Sequence, residues 1–134
     1  MTFLDTNVLV YAFDASEPAK RARAVALLED EALGIVLSAH VLNECYWTLT
    51  RKFTPAVPAA VAQEAVRELA LGRVVPIDAS LTEEAITLSR RHRLTVWDAG
   101  IVVAAQRSGC RELLTEDLTN GQAFGSLTVR DPFD

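Results

Sequence analysis

The chain has 134 residues, half of them hydrophobic and 23% charged, with a formal net charge of −5. That length suits one domain with a real core, and the composition excludes intrinsic disorder. The acid excess excludes a protein that holds nucleic acid by charge alone, and no apolar run is long enough to span a bilayer.

In chain order, Thr2-Phe3-Leu4 reads as a short buried strand that ends in Asp5 and hands over at once to Val8-Leu9-Val10-Tyr11. Pro18 suits the first turn of a helix, along which Ala24, Leu27 and Leu28 form an apolar stripe. After Gly34, Ile35-Val36-Leu37 is a second buried strand, and Ser38 caps a helix running to about Phe53. On that helix Leu42, Cys45, Tyr46, Leu49 and Phe53 share one face, with His40, Glu44, Thr48 and Arg51 on the other side. Residues 54–58 are a proline break before a third long helix, whose stripe is Val61/Ala62, Ala65/Val66 and Leu69/Ala70 and which Gly72 closes.

Val74-Val75-Pro76-Ile77 is an edge or ending strand because of its proline. Ser80 to Glu83 has the form of a capping box for a helix that ends in Arg90-Arg91-His92-Arg93, and Asp78, just ahead of Ser80, reads as a capping rather than a site acid. Thr95 and Asp98 suggest a weaker box opening a helix whose Ile101 to Ala105 segment is apolar all round, hence buried. Glu112-Leu113-Leu114 is a strand with Thr115-Glu116-Asp117 as its exit; Asn120-Gly121 is a turn, and Leu127-Thr128-Val129 a last strand. Strands alternating with helices predict a single α/β domain over residues 1–134, with a central, mainly parallel sheet flanked by helices on both faces.

No basic segment precedes an apolar stretch at the start, so no signal peptide and a cytoplasmic location are expected. Cys45 and Cys110 lack metal-type spacing and read as free thiols of a reducing compartment.

Asp5 and Asp117 both follow strands, so in a parallel sheet they emerge on one edge, where open α/β sheets place their ligands. Asp98 lies in the first turn of a helix facing that edge. Converging carboxylates repel unless a cation compensates, and oxygen-only ligands favour Mg²⁺ or Mn²⁺, which suit phosphodiester hydrolysis. Taken singly, the same acids are ordinary: Asp5 a turn or helix cap, Asp98 a first-turn acid, Glu44 a surface residue, Asp117 a loop acid.

As a set they carry a resemblance. Phe3 to Tyr11, Leu42-Asn43-Glu44, Trp97-Asp98-Ala99 before Ile101 to Ala105, Leu113 to Leu118, and the tail Val129 to Phe133 resemble the successive motifs of the PIN-domain family. With no additional domain, the chain looks most like the VapC toxins of toxin–antitoxin pairs. The resemblance implies a metal-dependent endoribonuclease with Asp5, Glu44, Asp98 and Asp117 as a Mg²⁺-binding catalytic quartet and Mn²⁺ as substitute. It implies that Thr6, Asn7 and Thr115 support the acids by hydrogen bonds, and that Glu116 is either a further supporting residue or the alternative fourth acid. It also implies an RNA substrate, a cognate antitoxin and a homodimer. Arg90, Arg91 and Arg93 are placed to rim the site or to be a solvated helix end; Trp47 and Trp97 read as core residues that could instead stack a base; His40 reads as a surface histidine, with a proton shuttle as its other role; and His92 reads as solvated.

Other readings fit less well. A haloacid-dehalogenase phosphatase needs an aspartate where Asn7 stands, and a receiver domain needs an acid pair after its first strand and a lysine after its last. An RNA-processing nuclease outside a toxin system, or a catalytically silent Mg²⁺-binding module, remain the alternatives.

Overall fold

The computed structural model describes residues 1–134. The elements are β1 (Thr2–Leu4), α1 (Thr6–Tyr11), α2 (Pro18–Glu29), a 3₁₀ turn (Glu31–Leu33), β2 (Ile35–Ser38), α3 (Ala39–Arg51), α4 (Ala59–Leu69), β3 (Arg73–Val75), α5 (Ala79–His92), α6 (Val96–Arg107), β4 (Glu112–Leu114), β5 (Ala123–Phe124) and β6 (Leu127–Arg130). They form one six-stranded sheet in the order β3-β2-β1-β4-β6-β5, parallel except for the final β5–β6 pair.

This order fixes where a ligand belongs. From β1 the chain moves outward to β2 and β3, then returns across the sheet to place β4 on the other side of β1. Right-handed crossovers in opposite directions put their helices on opposite faces. α1 to α4 therefore pack among themselves, and α5 pairs with α6. The strand order reverses between β1 and β4, and the crevice outside their carboxyl ends is the switch point of the fold. The registers Phe3↔Val36 and Leu4↔Leu114 align the ends of β1, β2 and β4 at that edge.

Phe3, Leu4, Leu9, Leu113 and Val102 are fully buried in a core that α6 crosses with Ala99 and Ile101 to Ala105 inside, as its all-round apolar character predicts. A smaller cluster joins Cys45 and Leu49 of α3 to Ala62 of α4. Both cysteines are free and buried. No helix is long and apolar enough to cross a membrane.

Several expectations need correction. The buried face of α3 is centred on Val41, Cys45 and Leu49, which leaves Tyr46 exposed on one flank and Glu44 on the other rather than opposite the core. Trp47 and Trp97 are 54% and 65% exposed, so neither is a core residue; α3 and α6 fill their buried faces with smaller side chains. Val61, at 58%, is outside the stripe of α4. α5 starts two residues before the proposed box: Asp78 is its cap, accepting from Leu81 N at 2.8 Å, while Ser80 Oγ binds Arg107 at 2.9 Å. The strand before Pro76 is β3, at the sheet edge and ending at Val75. Strand β5 lacks any apolar run; its tight hairpin with β6 is built on Gly125 at φ +63°, a conformation that disfavours other residues. Ser38 and Thr95 cap α3 and α6 as their positions suggest.

Candidate metal centre

β1 ends where Asp5 N donates to Leu114 O of β4 (3.0 Å), which fixes the Asp5 backbone at the switch point. Asp5 is the N-cap of α1: its Oδ1 accepts from Thr6 N at 2.7 Å, and its carbonyl accepts from Val8 N at 3.1 Å. The plain reading of Asp5 as a helix cap is therefore correct. Only one carboxylate oxygen is used in this way.

The other oxygen faces the exit of β4. Thr115 Oγ1 donates to Asp5 Oδ2 (2.8 Å) and accepts from Asn7 Nδ2 (3.1 Å) and Asp117 N (3.0 Å). Asn7 Oδ1 in turn accepts from Glu116 N at 3.3 Å. One buried hydroxyl thus sets the carboxylate of Asp5, the amide of Asn7 and the backbone of Asp117 relative to each other. Thr115 and Asn7, expected as supporting residues, both lie in this network.

Glu44 and Asp98 arrive from the helices that start at the same edge. His40, in the first turn of α3, places Nε2 2.7 Å from Glu44 Oε1 one turn later and stacks on Trp97 with ring centroids 5.5 Å apart. His40 is thereby tied to the acids rather than being a plain surface residue. The i,i+4 spacing that puts His40 one turn before Glu44 on one face is legible in the sequence, and the structure closes that pair. The Thr6 hydroxyl is buried and completes no hydrogen bond.

The electrostatics express this convergence. Burial pushes the Asp5 carboxyl up to about 6, opposed by the Thr115 and Thr6 hydrogen bonds and reinforced by the charges of Asp117 and Glu44. Burial raises Asp98 as well, with Asp117 and Glu44 adding to it. The His40 hydrogen bond lowers Glu44, and the same bond raises His40. Asp5 and Asp98 therefore both sense the charges of Asp117 and Glu44, although no three Asp, Glu, His or Cys side chains are drawn closely enough together to hold a metal ion as they stand.

Glu116, next to Asp117, points elsewhere. Its Oε2 lies 2.7 Å from Lys20 Nζ of α2, and Lys20 also binds the hydroxyl of Tyr11 at 3.2 Å. No sequence spacing signals Lys20. The Lys52 charge, like that of His40, helps to lower Glu44. Arg90, Arg91 and Arg93 are exposed at the end of α5, where Arg91 lines a polar groove with Glu83 and Glu84, and Arg93 closes the helix at φ +55°. His92 is exposed but packs its ring edge-on to Phe124 at 5.2 Å. Trp47 carries the Arg51 guanidinium over its ring at 5.3 Å.

A family model described as the PIN domain matches residues 2–119. Comparison with curated proteins gives no match. Among solved structures, the chain is similar to Mycobacterium tuberculosis VapC20, described as a sarcin-ricin-loop-cleaving toxin. Identity is 26%, over 87% of this chain and 92% of that one, with a TM-score of 0.72. It is also similar to a chain of FitAB bound to an IR36 DNA fragment, at 22% identity over 100% and 96% of the two chains and a TM-score of 0.73. A chain of a toxin–antitoxin complex from Klebsiella pneumoniae gives 20% identity, 98% coverage of both chains and a TM-score of 0.73. A sheet with its switch point between β1 and β4, acids at that edge, and a family match over nearly the whole chain lead to one conclusion: the protein belongs to the PIN domain family.

Proposed function

We propose that the chain is a metal-dependent endoribonuclease acting as the toxin of a toxin–antitoxin pair in the cytoplasm. The observation that carries the reading is the buried Asp5 carboxylate at the switch point, raised to about 6 with Asp117 and Glu44 as like-charged neighbours. A buried acid with two further acids near it lacks a positive partner, and a divalent cation supplies one. The donor set is all oxygen, and the partnerless Thr6 hydroxyl adds a buried polar group for a hydrated ion to meet, so the residues fit Mg²⁺, with Mn²⁺ as substitute.

In this reading Asp5, Asp98, Asp117 and Glu44 hold the ion. Thr115 and Asn7 set the angle of Asp5 and the loop that carries Asp117, and His40 keeps Glu44 ionised and fixed in direction. When bound, the ion supplies a water of lowered pKa and a counter-charge for the phosphoryl oxygens. Glu116, engaged with Lys20, stands outside the ligand set. The toxin assignment draws on VapC20, a toxin described as cleaving the sarcin-ricin loop, and on similarity to chains of toxin–antitoxin complexes. The exposed Tyr46, Trp47, Ile86 and Trp97 support protein interfaces, for which we infer an antitoxin and a second copy of the chain.

The test is cleavage of total RNA by the purified protein, with Mg²⁺, with Mn²⁺ and with chelator, beside Asp5→Asn as control. Metal-dependent cleavage lost in Asp5→Asn is expected, and undiminished cleavage by that variant would sink the mechanism. Cleavage without a partner gene beside this one would favour a housekeeping RNA-processing nuclease. Metal binding without cleavage would leave only an interaction module.

A further inference from the structure

We propose that Lys20 is a positioning residue that decides which of two adjacent carboxylates, Asp117 or Glu116, joins the acid site. The proposal rests on the metal-dependent reading above. Its basis is a contact between residues 96 positions apart.

The exit of β4 presents Glu116 and Asp117 in succession, and its backbone is pinned only at a few points. Asp117 N is held by the Thr115 hydroxyl and Glu116 N by Asn7 Oδ1. Neither bond restrains the Glu116 side chain, which has one more methylene than Asp117 and thus the longer reach. Lys20 supplies that restraint, with Nζ 2.7 Å from Glu116 Oε2 and 3.2 Å from the Tyr11 hydroxyl. The ammonium lies over two rings, 4.7 Å from the centroid of Tyr11 and 5.5 Å from that of Phe133, and those rings meet edge to face at 5.0 Å. Cation–π attraction and the tyrosine hydroxyl hold the lysine in place independently of Glu116. Of the two adjacent acids, it is Asp117 whose charge reaches Asp5 and Asp98. With the lysine head removed, Glu116 keeps only the neutral Tyr11 hydroxyl beside it and loses its charged partner. It can then swing toward the ion, where an extra carboxylate binds it more tightly but displaces Asp117 or a water from the reacting geometry.

The experiment compares wild type, Lys20→Met, Lys20→Arg, Lys20→Met/Glu116→Gln and the Asp5→Asn control. Mg²⁺ affinity is measured by calorimetry on the RNA-free protein, and cleavage rate at saturating Mg²⁺. Lys20→Met should bind Mg²⁺ about three- to tenfold more tightly, because ligand charge tunes such sites. It should cleave about 10- to 100-fold more slowly with KM little changed, the scale expected for a residue that orients ligands. Lys20→Arg and the double variant should return both quantities toward wild type. Tighter Mg²⁺ binding with an unchanged saturated rate would mean a charge effect alone and overturn the proposal. Equal losses in Lys20→Met and the double variant would mean a purely structural pair and overturn it too. Should Lys20→Met not fold, Glu116→Gln alone decides: with Lys20 and its ring contacts intact, it must keep wild-type Mg²⁺ affinity and cleavage rate, and a loss of either would make Glu116 itself the ligand and overturn the proposal. Failure of the parent reading looks different: the wild type would then bind no Mg²⁺, or Asp5→Asn would bind it equally well.

Discussion

The Asp5→Asn substitution separates stability from catalysis, and its effect follows from the site. Burial and neighbouring acids raise the Asp5 carboxyl from its ordinary 3.8 to about 6. At about 1.36 kcal/mol per pKa unit, keeping it ionised in the metal-free fold costs about 3 kcal/mol. The folded pKa lies above the unfolded one, so the folded chain holds its proton longer. The Asp5 contribution to stability is then greatest below about pH 4, falls as pH rises through about 6 and is flat beyond. Asparagine removes this penalty but turns an amide toward Thr115 Oγ1, which already accepts from Asn7 and Asp117 and loses its own acceptor. That loss costs about 1–2 kcal/mol. The variant should thus be about 1–2 kcal/mol more stable at pH 7.5 in chelator, about 4–8 °C in Tm, and less stable than wild type at pH 4, with the curves crossing near about pH 5. Saturating Mg²⁺ should reverse the order at pH 7.5, because only the wild type gains binding energy. Thermal melts across pH 4–8, with and without Mg²⁺, give the answer. A variant less stable than wild type at every pH would refute the reasoning, since Asp5 would then carry no uncompensated charge.

Other outcomes are equally specific. Mg²⁺ affinity should weaken as pH falls below about 6, with proton release on binding near that pH; calorimetry in buffers of different ionisation enthalpy measures it, and a constant affinity from pH 5 to 7 contradicts it. Asp117→Asn should lose at least about 100-fold in cleavage while melting near wild type, a ligand's loss being no smaller than that of a supporting residue. Denaturant unfolding of Asp78→Ala should show a loss of about 1 kcal/mol, against less than about 0.5 for Ser80→Ala, because Asp78 caps α5. Cys45, buried and with its thiol pushed up to about 11, should resist thiol reagents until the protein unfolds, which a colorimetric titration checks.

Much of the fold is readable along the chain because helices and strands are local. Apolar periodicity and caps such as Ser38 and Thr95 place α2, α3, α5 and α6 to within a residue or two, and short apolar runs bounded by turn residues place β1, β2, β4 and β6. Errors arise where neighbours in space compete with neighbours in sequence. Asp78 and Ser80 are both acceptable caps by type, and the Ser80 hydroxyl is taken by Arg107 of the next helix. β5 has no pattern of its own and exists because β6 offers a partner. Trp47 and Trp97 look like core residues by composition, yet the helices that carry them are filled inside by Val41, Leu49 and the run from Ile101 to Ala105.

The chain by itself determines that acids follow two buried strands and open one buried helix, because strand ends and helix starts are legible from residue type and spacing. That is enough for an α/β fold, three converging acids and a cation to offset them; Glu44, inside a helix, joins them only through the family resemblance. The tertiary structure decides how those acids relate: Thr115 binds Asp5 across 110 positions, Lys20 binds Glu116 across 96, and His40 stacks on Trp97 between helices. None of these follows from spacing, since each depends on a strand order that doubles back through the sheet. Asp5 is a helix cap by local rule, and its second oxygen gains an acceptor's place at the crevice only because β4 lies beside β1.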